Sequence, residues 1–230
     1  MTPASLVRRA WLGIGWNTRD GVGGMRMHWL QPDIVLASRS PRRRAMMRAL
    51  RVPFRCMVGD DAEDNQARLR PHALVVRHAR AKVAAVAARV RRGVLVGADT
   101  LVVLGTQVFG KPRSRAEAYR MLRALQGRTH NVYTGVALLD CATRRWRTAH
   151  VRTRVTMRPL TTREMTRYFA LVNPLDKAGA YAIQEAGGIV IERINGCYYN
   201  VLGFPVATVE TLLRSLGYSL MARTRAGNSR

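Results

Sequence analysis

The sequence predicts an α/β fold: a mixed twisted sheet flanked by helices, with two lobes around a cleft. Three observations carry that prediction. Short apolar runs alternate with helical 3.6-residue patterns over most of the chain. An early run, turn and helix favours crossover connections, and an Asn195-Gly196 hairpin signal demands an antiparallel pair.

Residues 1–30 show no sustained period and are rich in Gly and Trp, so they read as an N-terminal extension, disordered or lying upstream of a true start at Met25 or Met27. The main body, 31–217, begins with the apolar run Ile34 to Ala37 as a strand. Ser40 then supplies an N-cap and Pro41 a first helical residue. The helix runs to Leu50 with Met46, Met47 and Leu50 on one face, and Phe54 to Val58 reads as a second strand. A long helix follows from Pro71 to Arg92, with Leu74, Ala81, Ala84, Ala85 and Ala88 as its expected packing face. Val94 to Ala98 and Leu101 to Leu104 are buried-strand runs interrupted by Asp99-Thr100, best explained by a strand end or bulge facing a cleft. Ser114 to Leu125 is a helix, His130 to Leu139 and Arg147 to Met157 are strands, and Thr161 opens a helix with a capping box closed by Glu164. Ile189 to Ile194 and Tyr198 to Val201 form the expected hairpin, Pro205 starts the last helix, and 218–230 is a basic tail.

Composition narrows the class. The 230 residues are 47% apolar, enough for a substantial core, and no apolar run approaches the ~18 residues a membrane span needs. Lys plus Arg is 39 against 14 acids, a formal charge of +25. Such a charge attracts polyanions, whether nucleic acid, acidic membrane or phosphorylated substrate; an arginine-rich coding bias gives the same count. Cys56, Cys141 and Cys197 are few, odd in number and in no zinc-binding pattern, and no secretion signal precedes them, so a reducing cytoplasm is expected.

Four segments carry candidate chemistry. Ser38, Ser40, Arg42 and Arg43 gather hydroxyls, amides and guanidinium groups at a helix N-terminus, where phosphate oxygens bind well, although a capped helix with solvated arginines looks the same. Asp99 sits inside a buried run and must be paired, cleft-facing or bound to a cation. Lys111 follows Gly110 on a tight turn. Asp176 to Gln184 combines small residues, which permit close backbone approach, with an amide able to read a base edge.

Taken together these segments resemble the Maf family of nucleotide pyrophosphatases. The matching residues are Leu36 to Arg43, Gly97 to Thr100, Gly110-Lys111-Pro112, His130 to Val136, Asp176 to Gln184 and Asn200 to Pro205, so the resemblance runs from about Ile34 to about Leu216. It implies a Maf/ITPase-like fold around a nucleotide-binding cleft, and hydrolysis of nucleoside triphosphates between the α and β phosphates with a divalent cation, Mg²⁺ or Mn²⁺. By resemblance Asp99 is the proton acceptor for the attacking water, and Asp99 with Glu63 holds the metal through oxygen ligands. Ser38 joins Arg43, Lys82 and Lys111 as the phosphate-binding set.

Arg42, Thr100 and Gln184 match the branch acting on dTTP and UTP. A second branch, acting on 7-methyl-GTP, would show an aromatic residue for Arg42, Gln for Thr100 and Ser-Glu near Ile183-Gln184. A Gln amide also complements the carbonyl and ring N–H of thymine or uracil, a pattern that the amino group of cytosine reverses. Phe204 departs from the family's Leu before Pro205, and residues 1–30 have no counterpart. The expected partner is a nucleoside triphosphate, with no membrane and no specific nucleic acid; a homodimer is admissible. The rival classes are a nucleic-acid-binding protein, motivated by the charge, and a regulatory partner in cell division.

Overall fold

The computed structural model describes residues 30–60 and 69–222. The expected extension before Leu30, the last part of the basic tail and Glu63 lie outside the described residues. Seven strands form one sheet: β1 (Ile34–Ala37), β2 (Phe54–Cys56), β3 (Val94–Leu104), β4 (Gln107–Phe109), β5 (Thr129–Asp140), β6 (Trp146–Met157) and β7 (Ile191–Asn195). The order is β2-β1-β3-β5-β6-β7, with β4 folded back on β3. β1 is parallel to β2 and β3, while the pairs β3·β5, β5·β6 and β6·β7 are antiparallel, so the sheet is mixed.

Helices cover both faces, which is why the strands read as continuous apolar runs. Ile34, Leu36, Val94 and Val96 point toward α1 (Pro41–Ala49) and α7 (Val206–Arg214), where Met46, Met47, Phe204, Val209 and Leu213 complete one core. Their odd-even neighbours Val35, Ala37 and Leu95 point the other way, onto Ala79, Val83 and Val86 of α2 (Pro71–Ala87). A further core forms where the distal ends of β3, β5 and β6 meet α3 (Arg115–Leu125) and α4 (Thr162–Leu171), around Leu122, Met157, Tyr168 and Phe169. β3 and β5, of 11 and 12 residues, span roughly 36–40 Å and contribute side chains to all three cores.

Several sequence expectations are corrected. β3 is unbroken through Asp99 and Thr100, which pair in register with Gly135 and Thr134. No bulge is needed, because the acid finds partners on the helix above it. The packing face of α2 is Leu74, Val75, His78, Ala79, Val83 and Val86; Ala84, Ala85 and Ala88 are exposed, since the β-branched stripe buries more apolar area than the alanines. Leu50 is likewise exposed.

The expected hairpin at Asn195-Gly196 is absent: Ile191–Asn195 pairs with β6, and Tyr198–Val201 is a single helical turn, α6. Thr153 of β6 causes this, its hydroxyl donating to the Cys197 carbonyl and accepting from the Cys197 amide. Asn200 then donates to the Val132 carbonyl and folds the segment down onto the sheet. Another short helix, α5 (Gly187–Val190), precedes β7.

The Thr161 capping box forms as expected, and the last helix ends at Arg214, short of Leu216. Beyond it, Tyr218 bridges to Leu30 and Ser219 bonds to Leu30 and Glu210, so the start of the basic tail is held to the body. No helix among the described residues is long and apolar enough to cross a membrane.

Candidate active site

The site lies where the two lobes meet, at the middle of β3. Its first wall is the β1–α1 turn. Ser40 caps α1 by accepting from the Arg43 amide at 3.4 Å, and the Ser38 hydroxyl accepts from the Ser40 amide at 3.1 Å. The capped turn directs Arg43 inward, where only 8% of it is exposed. Its guanidinium donates to the carbonyls of Gly203 (2.7 Å) and Ala98 (2.8 Å) and to the hydroxyls of Thr100 (3.1 Å) and Ser38 (3.3 Å). Arg43 therefore ties α1 to β3 and to the loop before α7, and its rigid planar fork suits that task better than a lysine would. Gly203 has φ +92°, and a Cβ there would meet Thr100 Oγ1 at 2.8 Å, so the glycine lets the loop close over this network.

Asp99 is the floor. Lys82 Nζ lies 2.5 Å from its Oδ1, and His78 Nδ1 lies 3.1 Å from its Oδ2. Burial pushes the carboxyl up, but the bonds from His78 and Lys82 and the charges of Lys82 and Arg43 outweigh it and hold the group at about 2. Asp99 is thus an anion throughout the physiological range. Its partners reach it because α2 sits unusually close to the sheet. A Cβ on Gly97 would lie 2.6 Å from the Ala79 carbonyl oxygen, and one on Gly135, opposite Asp99 in register, 2.4 Å from the Val75 carbonyl.

The other wall comes from Gly110-Lys111 and from 176–184. Arg42 donates to the Asp176 carboxylate at 2.9 Å and to its carbonyl at 3.0 Å, and Lys177 reaches the same carboxylate at 2.9 Å. Arg42, Arg43, Lys82, Asp99, Thr100, Lys111 and Gln184 line a cavity of about 270 Å³. An adjoining one of about 280 Å³ shares Arg43, Lys82 and Lys111 and adds Ser38. Every site residue expected from sequence is brought together except Glu63, which lies outside the described residues. The exposed Gln184 amide makes no hydrogen bond among the described residues.

Sequence reasoning passed over His78, although its place four residues before Lys82 puts both on one face of α2. It also gave no role to Tyr181, a cavity residue whose hydroxyl is 2.7 Å from His130 Nε2. His130 is 1% exposed, and burial pulls its pKa down to about 4. The folded state therefore keeps the ring neutral while the unfolded chain protonates near 6.5, so stability is full above that value and falls as pH drops toward 4. Between pH 7 and 4 the loss is about 3 kcal/mol. Urea unfolding at a series of pH values should show this slope flattened in a His130→Gln variant.

Among the described residues Asp99 is the one acid that lines the cavity, and these residues hold no cluster of three or more His, Cys, Asp or Glu. A carboxylate is an oxygen donor that suits a hard divalent cation whose remaining ligands come from substrate and water. A carboxylate offers about four lone-pair sites, and the bonds to Lys82 and His78 leave room for more.

A cleft this basic, reaching an ionised carboxylate at mid-sheet of a mixed α/β fold, suits phosphorylated substrates. Family comparison narrows the class: the chain belongs to the Maf family, whose model, described as Maf-like protein, matches residues 33–216. Curated relatives agree. The dTTP/UTP pyrophosphatase of Pelotomaculum thermopropionicum is 44% identical, over 82% of this chain and 99% of the relative. That of Moorella thermoacetica is 45% identical over 83% and 98%, and that of Dictyoglomus thermophilum 39% over 84% and 100%.

Proposed function

We propose that this protein is a nucleoside triphosphate pyrophosphatase acting on dTTP and UTP, releasing the nucleoside monophosphate and pyrophosphate. The observation that carries this reading is the meeting, in one cavity, of Arg42, Thr100 and Gln184 with Asp99, Lys82 and Lys111. The relatives named dTTP/UTP pyrophosphatase support it across nearly their whole length.

Water attacks the α phosphorus, and the bond from that phosphorus to the α–β bridging oxygen breaks, its electron pair leaving with pyrophosphate. Asp99 accepts the proton of the attacking water. Lys82 and Lys111 offset the charge that grows on the leaving group, and Lys82 is shared between Asp99 and the triphosphate. Ser38 and the amides of the β1–α1 turn cradle phosphate oxygens at the helix N-terminus, and Arg43 locks that turn in place. Asp99, with Glu63, would hold a divalent cation, Mg²⁺ or Mn²⁺, which would lower the pKa of the attacking water. Arg42, anchored on Asp176, sets the wall against which the base lies, and Gln184 offers its amide to the base edge. The unpaired Cys56, Cys141 and Cys197 suit a reducing compartment, and the cytoplasm is the proposed one.

Pyrophosphate release from dTTP, UTP, CTP, GTP and 7-methyl-GTP, with Mg²⁺ or Mn²⁺ and a chelator control, tests the assignment. Metal-dependent turnover of dTTP and UTP, with CTP at least ~10-fold slower, is the expected result. Gln184→Glu removes the amide donor, so kcat/KM for dTTP should fall about 10- to 100-fold and the dTTP/CTP ratio should narrow. An unchanged ratio would mean that Gln184 does not read the base.

A further inference from the structure

His78 is a buried polar side chain that the reaction above does not use. It is 2% exposed and is not among the residues lining either cavity, yet its Nδ1 faces Asp99 Oδ2 at 3.1 Å. Lys82, one turn along α2, takes the other oxygen. An ionised carboxylate can only accept, so the proton of this bond sits on His78 Nδ1, and the imidazole N–H donates to Oδ2.

The two partners differ in what they can hold. Lys82 ends a flexible four-carbon stem and lines both cavities, so a triphosphate competes for it. A carboxylate held by Lys82 alone would lose its orientation when substrate draws the lysine away. The His78 ring turns about two torsions only and is walled in by the packing of α2 on β3 and β5. Val75, Ala79 and Val83 beside it are fully buried. Gly97 and Gly135 keep the helix backbone against the sheet on either side of Asp99.

We propose that His78 is a positioning residue for Asp99: its Nδ1–H fixes Oδ2 and leaves Oδ1 facing the cleft while Lys82 serves the phosphates. This rests on Asp99 being the proton acceptor. It assigns His78 no contact with substrate.

The test compares His78→Leu, which has no donor, with His78→Asn, whose amide N–H stands the same number of bonds from Cα as Nδ1. Turnover of dTTP is read as kcat and KM separately, beside Asp99→Asn. His78→Leu should lose about 10- to 100-fold in kcat with KM nearly unchanged, and His78→Asn should recover most of it. Full activity in His78→Leu, or no recovery in His78→Asn, overturns the proposal, and so does a loss confined to KM. Normal turnover in Asp99→Asn would instead remove the proton-acceptor reading and the proposal with it. Histidine ¹⁵N spectra of the wild-type protein supply a readout independent of either His78 variant. Nδ1 of His78 should be the protonated nitrogen, with that proton moved in Asp99→Asn; a wild-type ring protonated on Nε2 alone overturns the proposal.

Discussion

Asp99→Asn should reduce dTTP hydrolysis by about a thousandfold or more, almost entirely in kcat. The substitution keeps shape and hydrogen-bonding length and removes the charge, leaving at the cleft an amide oxygen too weakly basic to take a proton from water. Oδ1 can still accept from Lys82, and the new amide can donate to His78 if the imidazole moves its proton to the other nitrogen, so no donor is left facing a donor. Lys82 loses a counter-ion, but its ammonium borders the cleft and keeps access to water. The variant should therefore fold, lose some stability, and still bind dTTP, because the arginines and lysines that line the cleft are unchanged. Turnover by pyrophosphate release, with dTTP binding by calorimetry, separates these effects. A variant that hydrolyses dTTP at the wild-type rate would mean that another group takes the proton. A wild-type protein that binds DNA or RNA with steep salt dependence and hydrolyses no nucleotide would favour the rival read from the charge of +25.

The parts of the molecule that sequence reveals are those whose signal is local. Ser40-Pro41 announces a helix start, Thr161 with Glu164 a capping box, and Val94 to Ala98 a strand buried on both faces; each is found where the pattern places it. The motif residues were legible because they stand in ordered segments, and the cavity gathers them from β1–α1, α2, β3, the turn at Lys111 and the 176–184 loop.

What stayed hidden depends on distant partners. Nothing local tells that Thr153 will engage Cys197 and turn an Asn-Gly hairpin signal into a descent toward α6. The face of α2 was misread because alanines at helical spacing look like a packing stripe; the valines beside them win only once a sheet is present to receive them. Asp99 suggested a bulge for the same reason. Its partners are 17 and 21 residues away, on a helix whose distance from the strand is set by two glycines.

Those glycines give the second large effect, on stability and activity together. Gly135→Ala would place a Cβ 2.4 Å from the Val75 carbonyl carbon and oxygen and 2.6 Å from the Val76 amide nitrogen, all backbone atoms that no rotamer change can move. Either α2 lifts from the sheet or β5 bows away from it. Lifting separates Val75, Ala79 and Val83 from the core they fill, and overpacking of this kind costs about 3 kcal/mol. It also carries His78 and Lys82 away from Asp99, and a displacement near 1 Å at a reacting group can cost about a hundredfold in rate. Gly97→Ala meets Ala79 and Val83 at 2.6 and 2.7 Å and should behave alike, less severely, because one of its two closest contacts is a side-chain methyl. Gly188→Ala is the control: its Cβ would meet nothing within 4 Å, so stability and turnover should both stay near wild type. Urea unfolding and dTTP turnover of the three variants decide the matter. If Gly135→Ala is as benign as Gly188→Ala, the close seating of α2 is not what brings Lys82 and His78 to Asp99. If it unfolds the protein less than expected yet still stops turnover, the glycine is there for the site more than for the fold.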